Sequence, residues 1–196
     1  MPLLVARSQR LAAEALQRQD PQGLSDAARL ADVAVRRWPT SVEALYARSA
    51  ALYHRWLLTR EPALVPRFMA DLRRARAVLP QPIFWVYAGK THVQTDRPLE
   101  AVGELQRALV LADQQRDGNA AALGRVWLGA ALTLLGDQAQ AVAAWVDALR
   151  VAPDVPGVYD FVPWARRLAP PHQARLLEAV PPARRAEVQR LLAERG

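Results

Sequence analysis

The sequence predicts an all-α chain built as a stack of helix hairpins, and three observations predict it. Ala and Leu, strong helix formers, dominate, and runs of alternating β-branched residues are missing. Prolines fall at intervals that punctuate helices instead of interrupting them. A set of small residues recurs at a spacing of 40: Gly89, Ala101-Val102 and Ala108-Leu109 return as Gly129, Ala141-Val142 and Ala148-Leu149. Further upstream, Ser49 takes the place of Gly89 and Leu45 that of Trp85. With 196 residues, 52% of them hydrophobic, the chain has room for one moderate domain with a real core.

Taken in order, the elements follow from that repeat. Helices near 3–18 and 24–37 form a degenerate first repeat (1–40) marked by Ala15, Ala27, Ala31, Ala34 and Pro39. Those near 41–58 and 63–79 form a second (41–81), with Leu45, Ser49, Leu52, Leu72, Ala75 and Pro80. The third (82–119) pairs helices near 83–95 and 98–114 through Trp85, Gly89, Ala101, Leu105 and Ala108, and the fourth (120–155) pairs 119–135 with 138–151. Each first helix carries a small residue late in its course, where a second helix lined with alanines approaches. Large residues such as Trp85, Leu105, Leu128, Leu132 and Trp145 fill the gaps. One hairpin cannot bury its apolar face alone, so such units stack and need ends of a different kind. Residues 156–196 are that end: helices near 157–168, 172–179 and 182–194, with Leu176, Leu177, Val180, Val188, Leu191 and Leu192 covering the last repeat.

Over 122–155 the residues Leu128-Gly129, Leu132, Gly136-Asp137, Ala141, Trp145, Ala148-Leu149 and Pro153 resemble the tetratricopeptide repeat, and 82–115 does so through Trp85, Gly89, Ala101, Leu105 and Ala108. The likeness covers about three quarters of the chain, thinning toward the start. It implies a right-handed α-α superhelix of about four hairpins with a helical cap. Two departures stand out. Ser49 to Ala75 spans 26 residues where the later hairpins use 19, an excess around His54–Arg60, and Asp113–Asn119 lengthens the connection after the third repeat. The resemblance also implies a function, since the first helices of such arrays line a concave face that holds a segment of another protein. By position Tyr46, Tyr53, Tyr87 and Trp127 fall on that face as aromatic anchors, with His54, Lys90 and Gln94 orienting the ligand. The positions that carry the Lys and Asn of a carboxylate clamp hold Tyr46, Ala50, Val86 and Lys90, and Lys90 alone is not a clamp, so a terminal carboxylate tail is not expected there.

Chemical motifs are sparse. Lacking Cys, the chain has no disulfide, thiolate cage or cysteine nucleophile. Ala88-Gly89-Lys90-Thr91 ends like a phosphate loop, but Phe84 stands where its first glycine belongs, and the stretch reads as helix, whose N–H groups are already bonded. His54, His92 and His172 have no His or acidic partner three or four residues away on the same helix, and His92 reads as a core imidazole. No nucleophile elbow occurs, so the chain is expected to be no enzyme and to need no cofactor or metal. The net charge of +7 divides as +2, +4, −2 and +3 over 1–40, 41–80, 81–155 and 156–196. This basic excess makes nucleic acid or an acidic partner, met by Arg73, Arg74, Arg76, Arg166, Arg167, Arg184 and Arg185, the lesser alternative to a protein segment. Self-association into a homodimer through Trp56-Leu57-Leu58 or the cap is another alternative. Arg7 and Arg10 break any apolar leader, and the longest uncharged apolar run, 126–136, is too short for a membrane span, so a cytoplasmic location is expected.

Overall fold

The computed structural model describes residues 2–194, and every regular element among them is helical. The chain divides into two compact units between Pro80 and Gln81. The first holds α1 (Pro2–Gln17), α2 (Pro21–Arg37), α3 (Val42–Thr59) and α4 (Leu64–Val78). The second holds α5 (Pro82–Gln94), α6 (Pro98–Gln115), α7 (Gly118–Leu134), α8 (Gln138–Val151), the short α9 (Val162–Ala165), α10 (Pro170–Ala179) and α11 (Pro182–Ala193). From α1 to α4, and again from α5 to α8, each helix packs on the next, and the first helices of successive hairpins touch, α1 with α3 and α5 with α7. This is the tetratricopeptide-like arrangement of hairpins that the repeat predicts.

The helix boundaries have local causes. Pro21, Pro82, Pro98, Pro170 and Pro182 open their helices, where a missing N–H costs nothing. Asp20, Ser41, Asp117 and Asp137 cap α2, α3, α7 and α8, each accepting a hydrogen bond from a first-turn backbone N–H. Four helices end in one device. After α1, α5, α6 and α7 a left-handed residue (Gln19, Asp96, Arg116, Gly136) is followed by one whose N–H reaches back to Ala15, His92, Ala112 and Leu132 respectively, at 2.8–2.9 Å. The residue making that bond is also the N-cap of the next helix. A two-hydrogen-bond reversal therefore turns the chain within about three residues.

Small residues set the helix crossings at one repeat position, Ser8, Ser49, Gly89 and Gly129. In the first unit the buried serines donate across the hairpin, Ser8 Oγ to Ala27 O (2.8 Å) and Ser49 Oγ to Phe68 O (3.2 Å). In the second unit a large residue fills the same place. A Cβ on Gly89 would lie 2.4 Å from Leu105 Cγ, and one on Gly129 2.3 Å from Trp145 Nε1. The Trp145 indole is fully buried and pinned by donation to Val126 O at 2.8 Å.

Two sequence expectations are corrected. The residues 113–119 do not make a long connection; they extend helices, since α6 runs to Gln115 and α7 starts at Gly118, whereas the excess at 54–60 falls largely within α3, in line with the helix expected over 41–58. In that last part of α3 the buried Trp56 packs against Phe68 and Tyr53 within its own unit. The helix expected over 157–168 shrinks to α9. Pro153 and Pro156 withhold N–H groups, Gly157 takes φ +87°, and the chain runs as turns to Phe161. Those turns still anchor, because Val158 and Phe161 are fully buried and Phe161 stacks on Trp145 at 5.5 Å.

Two stability predictions follow from the crossings and the reversals. Gly129→Ala should lower stability by about 2 kcal/mol, because overpacking against a pinned indole outweighs the helix propensity gained. Gly103→Ala, whose Cβ meets nothing within 4 Å, should instead gain about 0.5–1 kcal/mol, so the two urea midpoints move in opposite directions. Replacing Asp96-Arg97 by the Gly-Asp pair found at 136–137 removes a left-handed non-glycine residue and adds the side-chain cap that α6 lacks. A gain of about 1–2 kcal/mol in the same assay is expected.

Candidate interaction surface

The seven residues expected to bind a partner lie three in the first unit and four in the second, and each group is described within its own unit. On α3, Tyr46 and His54 are half-buried, but Tyr53 is only 2% exposed, its ring edge-on to Phe68 at 5.6 Å and to His54 at 5.4 Å. Tyr53 is a core side chain of its unit. On α5, Tyr87, Lys90 and Gln94 stand at i, i+3 and i+7, which places them on one helix face, all half-buried. Trp127 on α7 is 5% exposed and lies beneath that face.

What covers Trp127 is Lys90. Its ammonium sits 4.6 Å from the Trp127 ring centroid and 3.5 Å from Asp160 Oδ2, in the turns that precede α9. Three elements therefore meet at one cation: α5 supplies it, α7 its aromatic floor, and the chain after α8 its carboxylate. Burial pushes the Lys90 amine below the ordinary lysine value, and Asp160 only partly offsets this. Asp160 was invisible in the sequence, standing 70 residues from Lys90 inside a stretch read as helix. One signal pointed toward the spot: Lys90 is the single lysine among 26 basic residues.

The phosphate-loop look-alike dissolves into packing. Gly89 admits Leu105, Lys90 joins Trp127 and Asp160, and Thr91 donates to Tyr87 O at 2.8 Å within an unbroken helix. His92, expected in the core, is half-buried instead. Several arginines expected to meet an acidic partner are spent on the chain's own oxygens. Arg74 donates to Pro39 O, Arg166 to Leu191 O, Arg185 to Glu178 O and Val180 O, and Arg184 pairs with Glu187. A stronger ionic feature lies in the first unit. Arg48 grips the buried Asp71 through Nε (2.8 Å) and Nη2 (2.6 Å) and also binds Asp32, tying α3 to α4 and α2. The Asp71 hydrogen bonds raise the Arg48 pKa despite its partial burial.

Neither a protein-family model nor a curated protein sequence matches the chain. Among solved structures it is similar to the crystal structure of the MamA protein, with a TM-score of 0.58 and 16% identity over 98% of this chain and 91% of that one. The shared property is the fold. Among the described residues, no helix is long and apolar enough to cross a membrane.

The lowered Lys90 pKa carries a sign. Because the folded state disfavours the ammonium, the native chain gives up this proton at lower pH than the unfolded chain does. Between the lowered value and 10.5 the unfolded chain binds more protons, so this group makes stability rise with pH. Urea unfolding across that window should show wild type gaining on Lys90→Met as the pH is raised. Reductive ¹³C-methylation of the single lysine should also show a titration midpoint below the ordinary value, and Asp160→Asn should move it lower still.

Proposed function

We propose that the chain is a non-catalytic protein-interaction module that holds a segment of a partner protein against its first-helix faces. The observation that carries this reading is the face of α5, where Tyr87, Lys90 and Gln94 combine an aromatic plate, a cation and an amide within two helical turns. Half-buried side chains of this kind suit an interface, since their order is already paid for by packing on the protein itself. Tyr46 and His54 offer a similar half-buried pair on α3. Trp127 and Tyr53 support these faces from below: the first seats Lys90, and the second holds α3 against Phe68. A partner helix laid along α5 would meet its groups at a repeat of three and four residues, the mode by which grooves read amphipathic helices.

The test separates contact from support. A partner captured from a lysate and purified is titrated calorimetrically against wild type, Tyr87→Ala and Tyr46→Ala. Loss of about 2 kcal/mol of binding energy in Tyr87→Ala, with a cooperative urea transition showing the variant folded at the assay conditions, is expected for an aromatic anchor. Equal affinity in both variants and wild type removes the first-helix faces from the binding site.

A further inference from the structure

The charge of the chain is unevenly held. Of the net +7, residues 1–80 carry +6 and residues 81–196 carry +1. Within the first unit a cleft of about 340 Å³ opens on the side of α3 that faces α2 and α4. Four guanidinium groups line it, Arg29 from α2, Arg48 and Arg55 from α3 and Arg67 from α4, against a single carboxylate, Asp32, and one large apolar side chain, Leu52.

These arginines differ in how much of their bonding capacity is committed. Arg48 uses three of five N–H groups on Asp71 and Asp32, which fixes the plane of its guanidinium and leaves two donors at the cleft. Arg55 is steadied by Glu61 at 2.7 Å and Arg29 by Asp26. Arg67 is exposed and has no ion-pair partner among the described residues. Three of these cations are compensated by Asp26, Asp32, Asp71 and Glu61, which leaves Arg67 as the cation without a counter-charge at a cleft the size of a few side chains, in a unit whose own net charge is positive.

We infer that this cleft is a docking site for a carboxylate-rich segment of a partner protein, its acidic groups taken by Arg67 and the remaining donors of Arg48 and Arg55, with an apolar residue on Leu52. A nucleic-acid backbone fits the cleft less well. It presents a continuous run of phosphates and requires a matching stripe of uncommitted cations, whereas the cleft offers one, Arg67, beside the apolar Leu52, a pairing suited to a segment that mixes acidic and apolar side chains. The site shares no residue with the α5 face, so the two readings stand or fall separately.

The experiment is fluorescence anisotropy on the full chain with three labelled probes: a short peptide of alternating Glu and Leu, its Lys/Leu counterpart, and a single-stranded oligonucleotide of similar length. Binding of the Glu/Leu peptide alone is expected. Arg67→Glu should weaken it at least about tenfold, the worth of one charge-assisted contact, and Arg67→Lys much less. Arg73→Glu, a charge reversal on exposed α4 outside the cleft, should leave it unchanged, and urea midpoints should show all three variants folded. The inference is overturned if the oligonucleotide binds as tightly as the Glu/Leu peptide, if Arg73→Glu costs as much as Arg67→Glu, or if the acidic peptide does not bind.

Discussion

The constraint on which the rest depends is the close crossing of the two helices in each hairpin. At that point one helix has no room for an ordinary side chain, and the four hairpins meet the requirement in two ways. Ser8 and Ser49 keep a small hydroxyl and give its hydrogen to a carbonyl of the facing helix, so the buried polar group is satisfied and the crossing gains a directional tie. Gly89 and Gly129 remove the side chain altogether, and Leu105 and Trp145 enter the space. The second solution trades a hydrogen bond for dispersion contacts over a larger side chain, and Trp145 recovers the polar tie through its own N–H. With the crossing set, the depth of the following helix is set too, and with it the residues that reach the surface of the next hairpin.

The crossings were legible because they need small residues at a constant interval, and a recurrence of glycine with flanking alanines shows directly in a sequence. Ser8 escaped notice for the opposite reason: serine is common, and its partner is a backbone carbonyl without identity in the sequence. The reversals were half legible. Gly136-Asp137 announces a left-handed residue followed by a cap, whereas Gln19, Asp96 and Arg116 hold the same backbone conformation against their intrinsic preference. They do so because the flanking helices are already placed by packing, and the hydrogen bonds of the reversal offset the local cost. The length of α6 follows from the same point. An insertion between packed helices need not become a loop when a tight reversal is available at its far end, so counting residues alone could not say which outcome holds.

The surface was legible in direction but not in depth. Helical periodicity places Tyr87, Lys90 and Gln94 on one face, and the structure agrees. Periodicity says nothing of what lies above that face. Tyr53 and Trp127 sit at equally outward positions of their own helices yet are buried, the first among Trp56 and Phe68, the second under Lys90. The element responsible in the second case is the irregular chain after α8. It turns at Pro156-Gly157 and brings Asp160 to α5, and irregular backbone carries no period from which such a meeting could be read.

Lys90 also shows what a cation's identity adds to its charge. The chain uses arginine at 25 of its 26 basic positions, a preference that coding bias alone can produce. Arginine suits the first unit, where a planar fork binds Asp71 through two parallel hydrogen bonds while a third reaches Asp32. The site on α5 differs in kind. Its cation is desolvated against an indole face and holds one carboxylate at 3.5 Å, a compact arrangement that a point charge fills and a fork would overfill. Desolvation also sets the proton balance of that amine, which a guanidinium, charged at every accessible pH, cannot adjust. The exception in composition therefore coincides with a place where the fold has taken a basic group largely out of water beside an aromatic ring.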